Sequence, residues 1–218
     1  MIDKAIAQAK TGDVICVRNT GLFSKATIKV LSGGRRPCIH SHDGVVYGSK
    51  QKYSVLNIAP LWSSSDPIRK YLTKIEHRGG AWAICRLKAV DGYDTKTRTD
   101  MILSKNWIRL RCSRNKGKWY PFKDIYILAK RVTGLDKHLK WIKHERKNYH
   151  CTHFWKHIWW DNPYVSVQPR DLHHQLPAPI HTEHVMERGE MVLIAESHKG
   201  FYDAMLTGNI LECPQLVA

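Results

Sequence analysis

Short β-branched runs separated by turn signals constrain this chain more than any other feature. TGDVICVR, residues 11–18, leaves a turn and enters an alternating apolar segment, which predicts a strand starting near Asp13. CIHSHDGVVYG and KYSVLNIAPLW are both rich in Val, Ile and Tyr and are joined by a short Gly-Ser-Lys-Gln-Lys turn, which predicts a hairpin. AWAICRLKAV, residues 81–90, reads as a buried strand, and EMVLIAES, residues 190–197, as a late one. A hairpin pairs its strands antiparallel. The fold class expected is therefore α+β, with a small antiparallel sheet.

Helical signals fill the intervals. GLFSKATIKVLSGG places Leu22, Ile28, Val30 and Leu31 near helical spacing and stops at Gly33-Gly34. SSDPIRKYLTKIEHRGG predicts a second helix, with Asp66 near the N-cap, Pro67 in the first turn and Gly79-Gly80 closing it. Residues 91–118 are polar, basic and weakly periodic, and read as a connecting region. PFKDIYILAKRVTG and GLDKHLKWIKHERKNYH read as helical, and CTHFWKHIWW, residues 151–160, continues the pattern until Asp161-Asn162-Pro163 breaks it. A length of 218 residues suits one catalytic domain over 1–218, with a C-terminal extension from about residue 173.

The formal charge of +16 and a pI near 9.7 predict attraction to polyanions through a basic surface. Charge names a class of contact, and a generally basic surface satisfies it without any dedicated nucleic-acid site. The N-terminal MIDKAIAQAKTGD lacks the apolar run of a signal peptide, and no stretch approaches the ~18 apolar residues of a membrane span. A cytoplasmic location is expected, with a virion-associated setting as the alternative. Cys16, Cys38, Cys85, Cys112, Cys151 and Cys213 lie far apart without a C-x-x-C pair, so neither a zinc ribbon nor a small disulfide framework is expected.

A cysteine hydrolase needs a thiolate, a base close by and a third group to fix the imidazole, and these need not be neighbours in sequence. Cys151 opens an expected helix, where backbone N–H groups lower a thiol pKa from about 8.5 and can also stabilise an oxyanion. His42 falls on the first strand of the expected hairpin and Asn57 on the second, so pairing can set the Asn carbonyl against the imidazole N–H. His40 competes with His42, because positions 40 and 42 share a face of an extended strand. Tyr149, two before Cys151, is a candidate substrate contact and equally a packing aromatic.

At these residues the chain resembles the circularly permuted NlpC-type, papain-like superfamily, which includes the lecithin-retinol acyltransferase group. The resemblance rests on TGDVICVRNTGLFSKATIKVLSG, on Ser41-His42-Asp43-Gly44 within HSHDGVVYG, and on YHCTHFW around Cys151. PLWSSSDPIRKYL, GGAWAICRLK, WYPFKDIYILAK and QPRDL are similar to the segments between and after these motifs, so that residues 11–172 are covered in one order. The resemblance implies a permuted papain-like fold with a His-before-Cys order, Cys151 as nucleophile and His42 as base. It also implies amide, isopeptide or lipid ester substrates, including peptidoglycan-type peptides, with no cofactor. Asn57 stands where that family more often has Glu or His, and His150 where it has a small polar residue.

The leading expectation is a cysteine peptidase or amidase. A lipid-directed acyltransferase or thioesterase is the first alternative, and a non-catalytic basic binding or viral structural protein on the same scaffold is the second. The thirteen histidines include His153 and His157 at i, i+4 and His181 and His184 at i, i+3, but HTEH is not H-E-x-x-H and no metal site is expected. Trp141, Trp155, Trp159 and Trp160 have the spacing of a packed helix face more than of a base-stacking platform.

Overall fold

The computed structural model describes residues 1–22, 24, 25, 28, 37–49, 52–58, 63–88, 151, 155 and 179–217. Its centre is β1 (Val14–Arg18), paired antiparallel with β2 (His42–Ser49) on one side and β5 (Ala81–Leu87) on the other. β3 (Lys52–Ile58) and β4 (Ser63–Pro67) extend the sheet beyond β2, and β6 (Met191–Glu196) extends it beyond β5. The order is β4-β3-β2-β1-β5-β6, and every pairing is antiparallel. The fold is α+β.

Val14 to Val17 of β1 and all seven residues of β5 are buried because the sheet is covered on both faces. Alternate residues serve different cores. Ile15, Val17, Val46, Val55 and Ile84 pack with Ala5 of α1 (Ile2–Gln8) and with Ile68, Tyr71, Leu72 and Ile75 of α2 (Ile68–His77). The α2 positions recur at i, i+3, i+4 and i+7, the stripe a helix needs to cover a sheet. Val14, Cys16, Val45, Leu56 and Cys85 pack on the opposite face, with Trp155, with Val185 and Met186 of α3 (Pro179–Glu187), and with Phe201, Ala204 and Met205 of α4 (Phe201–Thr207). Residues from 179 onward thus supply one edge strand and two helices of the second layer.

The hairpin expected from sequence is β2 and β3, with Gly48 opposite Tyr53 and Ser49 opposite Lys52. Gly48 has φ of +127°, and a Cβ there would stand 2.3 Å from the Lys52 carbonyl oxygen, so only glycine fits this exit from the strand. Two expectations change near α2. Asp66 does not cap the helix: Ser63–Pro67 is strand β4, with Asp66 opposite Val55, and Pro67 is the N-cap of α2. A polar SSSDP run has no β-branched residue to announce it, and pairing with β3 at a sheet edge determines its conformation.

Leu22, Ser24, Lys25 and Ile28 are helical, within the helix expected over 21–34. The connecting region 91–118 and the expected helices at 121–150 lie outside the described residues. No described helix is long and apolar enough to cross a membrane.

A buried ion pair ties the layers together. Arg86 Nε donates to Asp13 Oδ1 at 2.8 Å and Arg86 Nη2 to Asp13 Oδ2 at 3.0 Å, while Nη2 also donates to the Gln8 carbonyl at 2.8 Å. Asp13 Oδ2 further accepts from the Lys10 backbone N–H at 2.7 Å. The two side chains therefore join the end of α1, the start of β1 and the end of β5.

Candidate functional site

The β2/β3 register places Gly44 opposite Asn57, so His42 lies on the same side of the sheet one pleat away. Asn57 Oδ1 accepts a hydrogen bond from His42 Nε2. A carbonyl oxygen only accepts, so the ring proton sits on Nε2 and Nδ1 keeps its lone pair. His42 Nδ1 has no hydrogen-bond partner among the described residues. Burial holds the His42 imidazole below its ordinary pKa; the Asn57 bond and the Asp43 charge oppose this, and the His40 charge adds to it. The ring is thus neutral at neutral pH and has one basic nitrogen available.

Cys151 is helical and half-buried, whereas Cys16, Cys38, Cys85 and Cys213 are buried. Burial pushes the Tyr71 phenol up, and the charges of Cys151 and Asp43 add to it. Tyr71 in turn reaches β2. A Cβ added at Gly44 would stand 3.7 Å from the Tyr71 hydroxyl and 2.8 Å from Val55 Cγ1, so glycine two residues after His42 leaves the room that the phenol approaches. Tyr71 was not singled out by sequence, because its i, i+3, i+4 spacing marks it as a core residue and it is one. Tyr149 lies outside the described residues.

His40 differs sharply from His42. Strand β2 begins at His42, opposite Val17, and Ser41 N–H donates to the Val17 carbonyl at 2.8 Å. His40 therefore precedes the strand, and the shared face expected of positions 40 and 42 does not arise. Its Nδ1 is 2.7 Å from Glu183 Oε1 and its Nε2 3.0 Å from Asp43 Oδ1, all with fully buried side chains. Glu183 Oε1 also accepts from the backbone N–H groups of Ile39 and His40 at 2.8 and 3.0 Å. Asp43 Oδ1 also accepts from Cys16 Sγ at 3.6 Å. Burial alone pulls the His40 imidazole down, but the charges and hydrogen bonds of Asp43 and Glu183 outweigh it and push the pKa up to about 10. The two carboxylates thus favour the protonated form of the buried His40 ring.

Two donor groups in this cluster, Cys16, His40, Asp43 and Cys38, His40, Glu183, bring their ligand atoms within 4.8 Å of one another. Among these atoms, His40 Nδ1 and Glu183 Oε1 are already joined by a hydrogen bond at 2.7 Å, and His40 Nε2 and Asp43 Oδ1 by one at 3.0 Å. His153 and His157 lie outside the described residues.

A pH dependence follows from His40. Its folded pKa is raised above the unfolded value of about 6.5, so its contribution is complete below that value and is lost as pH rises toward about 10. The unfolding free energy measured by urea should fall by a few kcal/mol over this window, beginning before free thiols titrate near about 8.5. Above that point Cys16 and Cys38, whose thiols burial pushes up, add loss of the same sign. A His40→Gln variant should lose the slope between pH 6.5 and 8.5, and an unchanged slope would refute the assignment.

No family model matches the sequence, and no curated protein matches it. Among solved structures the chain is similar to the metalloprotein yiiX (DUF1105) of Escherichia coli O157:H7. The identity is 16%, the match covers 74% of this chain and 69% of that one, and the TM-score is 0.47.

Proposed function

We propose that this chain is a cysteine-nucleophile acyl-transfer enzyme on a permuted papain-like fold, hydrolysing amide bonds of the peptide type. The observation that carries the reading is the His42–Asn57 pair, which holds a neutral imidazole in the tautomer whose Nδ1 is available as a base. Cys151 supports it as the described cysteine with access to solvent. The bonding of His40 supports His42 as the base, because both ring nitrogens of His40 are engaged by carboxylates.

In the first half-reaction His42 Nδ1 takes the Cys151 proton, and the sulfur attacks the acyl carbon to form a tetrahedral oxyanion. Collapse breaks the bond to the leaving amine, which takes the proton from His42, and a thioester remains. Water then attacks the thioester with His42 again as base, releasing the acid and the thiol. Asn57 touches none of the reacting atoms and orients the ring throughout.

Iodoacetamide labelling with peptide mapping tests the reading. Cys151 should alkylate faster than every other cysteine of the folded chain at neutral pH. If it reacts no faster than the others, the chain is a binding protein on this scaffold and the enzymatic reading fails. Peptidoglycan fragments compared with phospholipid as substrates then separate the amide hydrolase from a lipid-directed acyltransferase.

A further inference from the structure

Thr182 stands between two buried side chains that belong to different parts of the molecule. Its Oγ1 accepts from Trp155 Nε1 at 3.1 Å and donates to Asp43 Oδ2 at 2.9 Å. The direction of both bonds is fixed, since an indole N–H only donates and a carboxylate only accepts. One hydroxyl proton and one lone pair are therefore committed. All three side chains are buried, and the chain of contacts joins β2, α3 and Trp155.

The two ends of this chain flank the proposed reacting groups. Asp43 follows His42 directly on β2, with its side chain on the opposite face of the sheet. Trp155 and Cys151 are both helical and four residues apart in the sequence. Asp43 is itself immobilised, because its other oxygen receives His40 Nε2 and Cys16 Sγ. We propose that Thr182 is a positioning residue, whose bridge from Asp43 to Trp155 sets the Cys151 sulfur relative to the His42 imidazole. This rests on the acyl-transfer reading above and adds to it α3, a helix from the far C-terminal part of the chain.

The test is the pH profile of Cys151 alkylation in the full chain, read alongside the melting temperature. In Thr182→Val the hydroxyl is replaced by a methyl group of similar size. The alkylation midpoint should then rise by at least one pH unit, and Thr182→Ser should restore it. Trp155→Phe breaks the same bridge from its other end and should raise the midpoint likewise, and it decides the matter if the valine variant does not fold. A lower melting temperature with an unchanged midpoint is what a merely structural contact gives, and it overturns the proposal while leaving the acyl-transfer reading intact. A raised midpoint that serine does not restore overturns it as well. A wild-type midpoint equal to that of a free thiol overturns both.

Discussion

Arg86→Met lowers the unfolding free energy by about 3–5 kcal/mol, the usual cost of breaking one side of a buried ion pair. Asp13 is fully buried, and without the guanidinium it keeps the Lys10 N–H at 2.7 Å but loses the two Arg86 donors at 2.8 and 3.0 Å. The Gln8 carbonyl loses its Arg86 donor in the same step. Equilibrium urea unfolding measures the effect. Asp13→Asn combined with Arg86→Met should recover part of the loss, because no charge is then left buried. Strict additivity of the two single variants would show that the groups do not interact. The ion pair between Arg69 and Asp3 gives the contrast: both side chains are largely exposed, so Arg69→Met should leave stability nearly unchanged.

The same buried pair shows what local patterns can and cannot convey. Gly12-Asp13 before a β-branched run reads as a turn entering a strand, and it is one, yet nothing near Asp13 announces a partner 73 residues away. β1, β2, β3, β5 and β6 were legible because each carries apolar alternation or a continuous apolar run that a two-sided sheet requires. β4 was not, since its conformation comes from pairing with β3 and not from its own residues. The His42–Asn57 pair was legible for the opposite reason: a short hairpin fixes the register, and the register fixes which side chains meet.

The polar cluster behind the site follows neither rule. His40 meets Glu183 across 143 residues, and Asp43 meets Thr182 across 139. Single buried polar side chains in α3 carry no periodic signal: His181 and His184 have a recognisable i, i+3 spacing, whereas the Thr182-Glu183 step between them has none. Burial without hydrogen bonds is costly for such groups, so they are found by following donors to acceptors through the fold. Once followed, they separate His40 from His42, which strand periodicity does not.

His42→Ala raises the midpoint of Cys151 alkylation toward about 8.5, the value of a free thiol, because the imidazole partner is lost. The rate at a single pH is a poor measure of this change. A thiolate of higher pKa is the better nucleophile, with a Brønsted slope of about 0.4–0.5, so the plateau rate at high pH should increase even as the midpoint rises. The opposite movement of plateau and midpoint distinguishes loss of a proton-sharing partner from simple occlusion of the sulfur, which lowers the plateau and leaves the midpoint alone. Turnover of an amide substrate should fall by about 10²–10⁴, because protonation of the leaving amine is lost together with thiol activation. Asn57→Ala retains the imidazole but frees its tautomer, and should give a smaller shift in the same direction. An unchanged midpoint in His42→Ala would remove His42 from the reaction, and with it the reason for Asn57 to stand opposite Gly44.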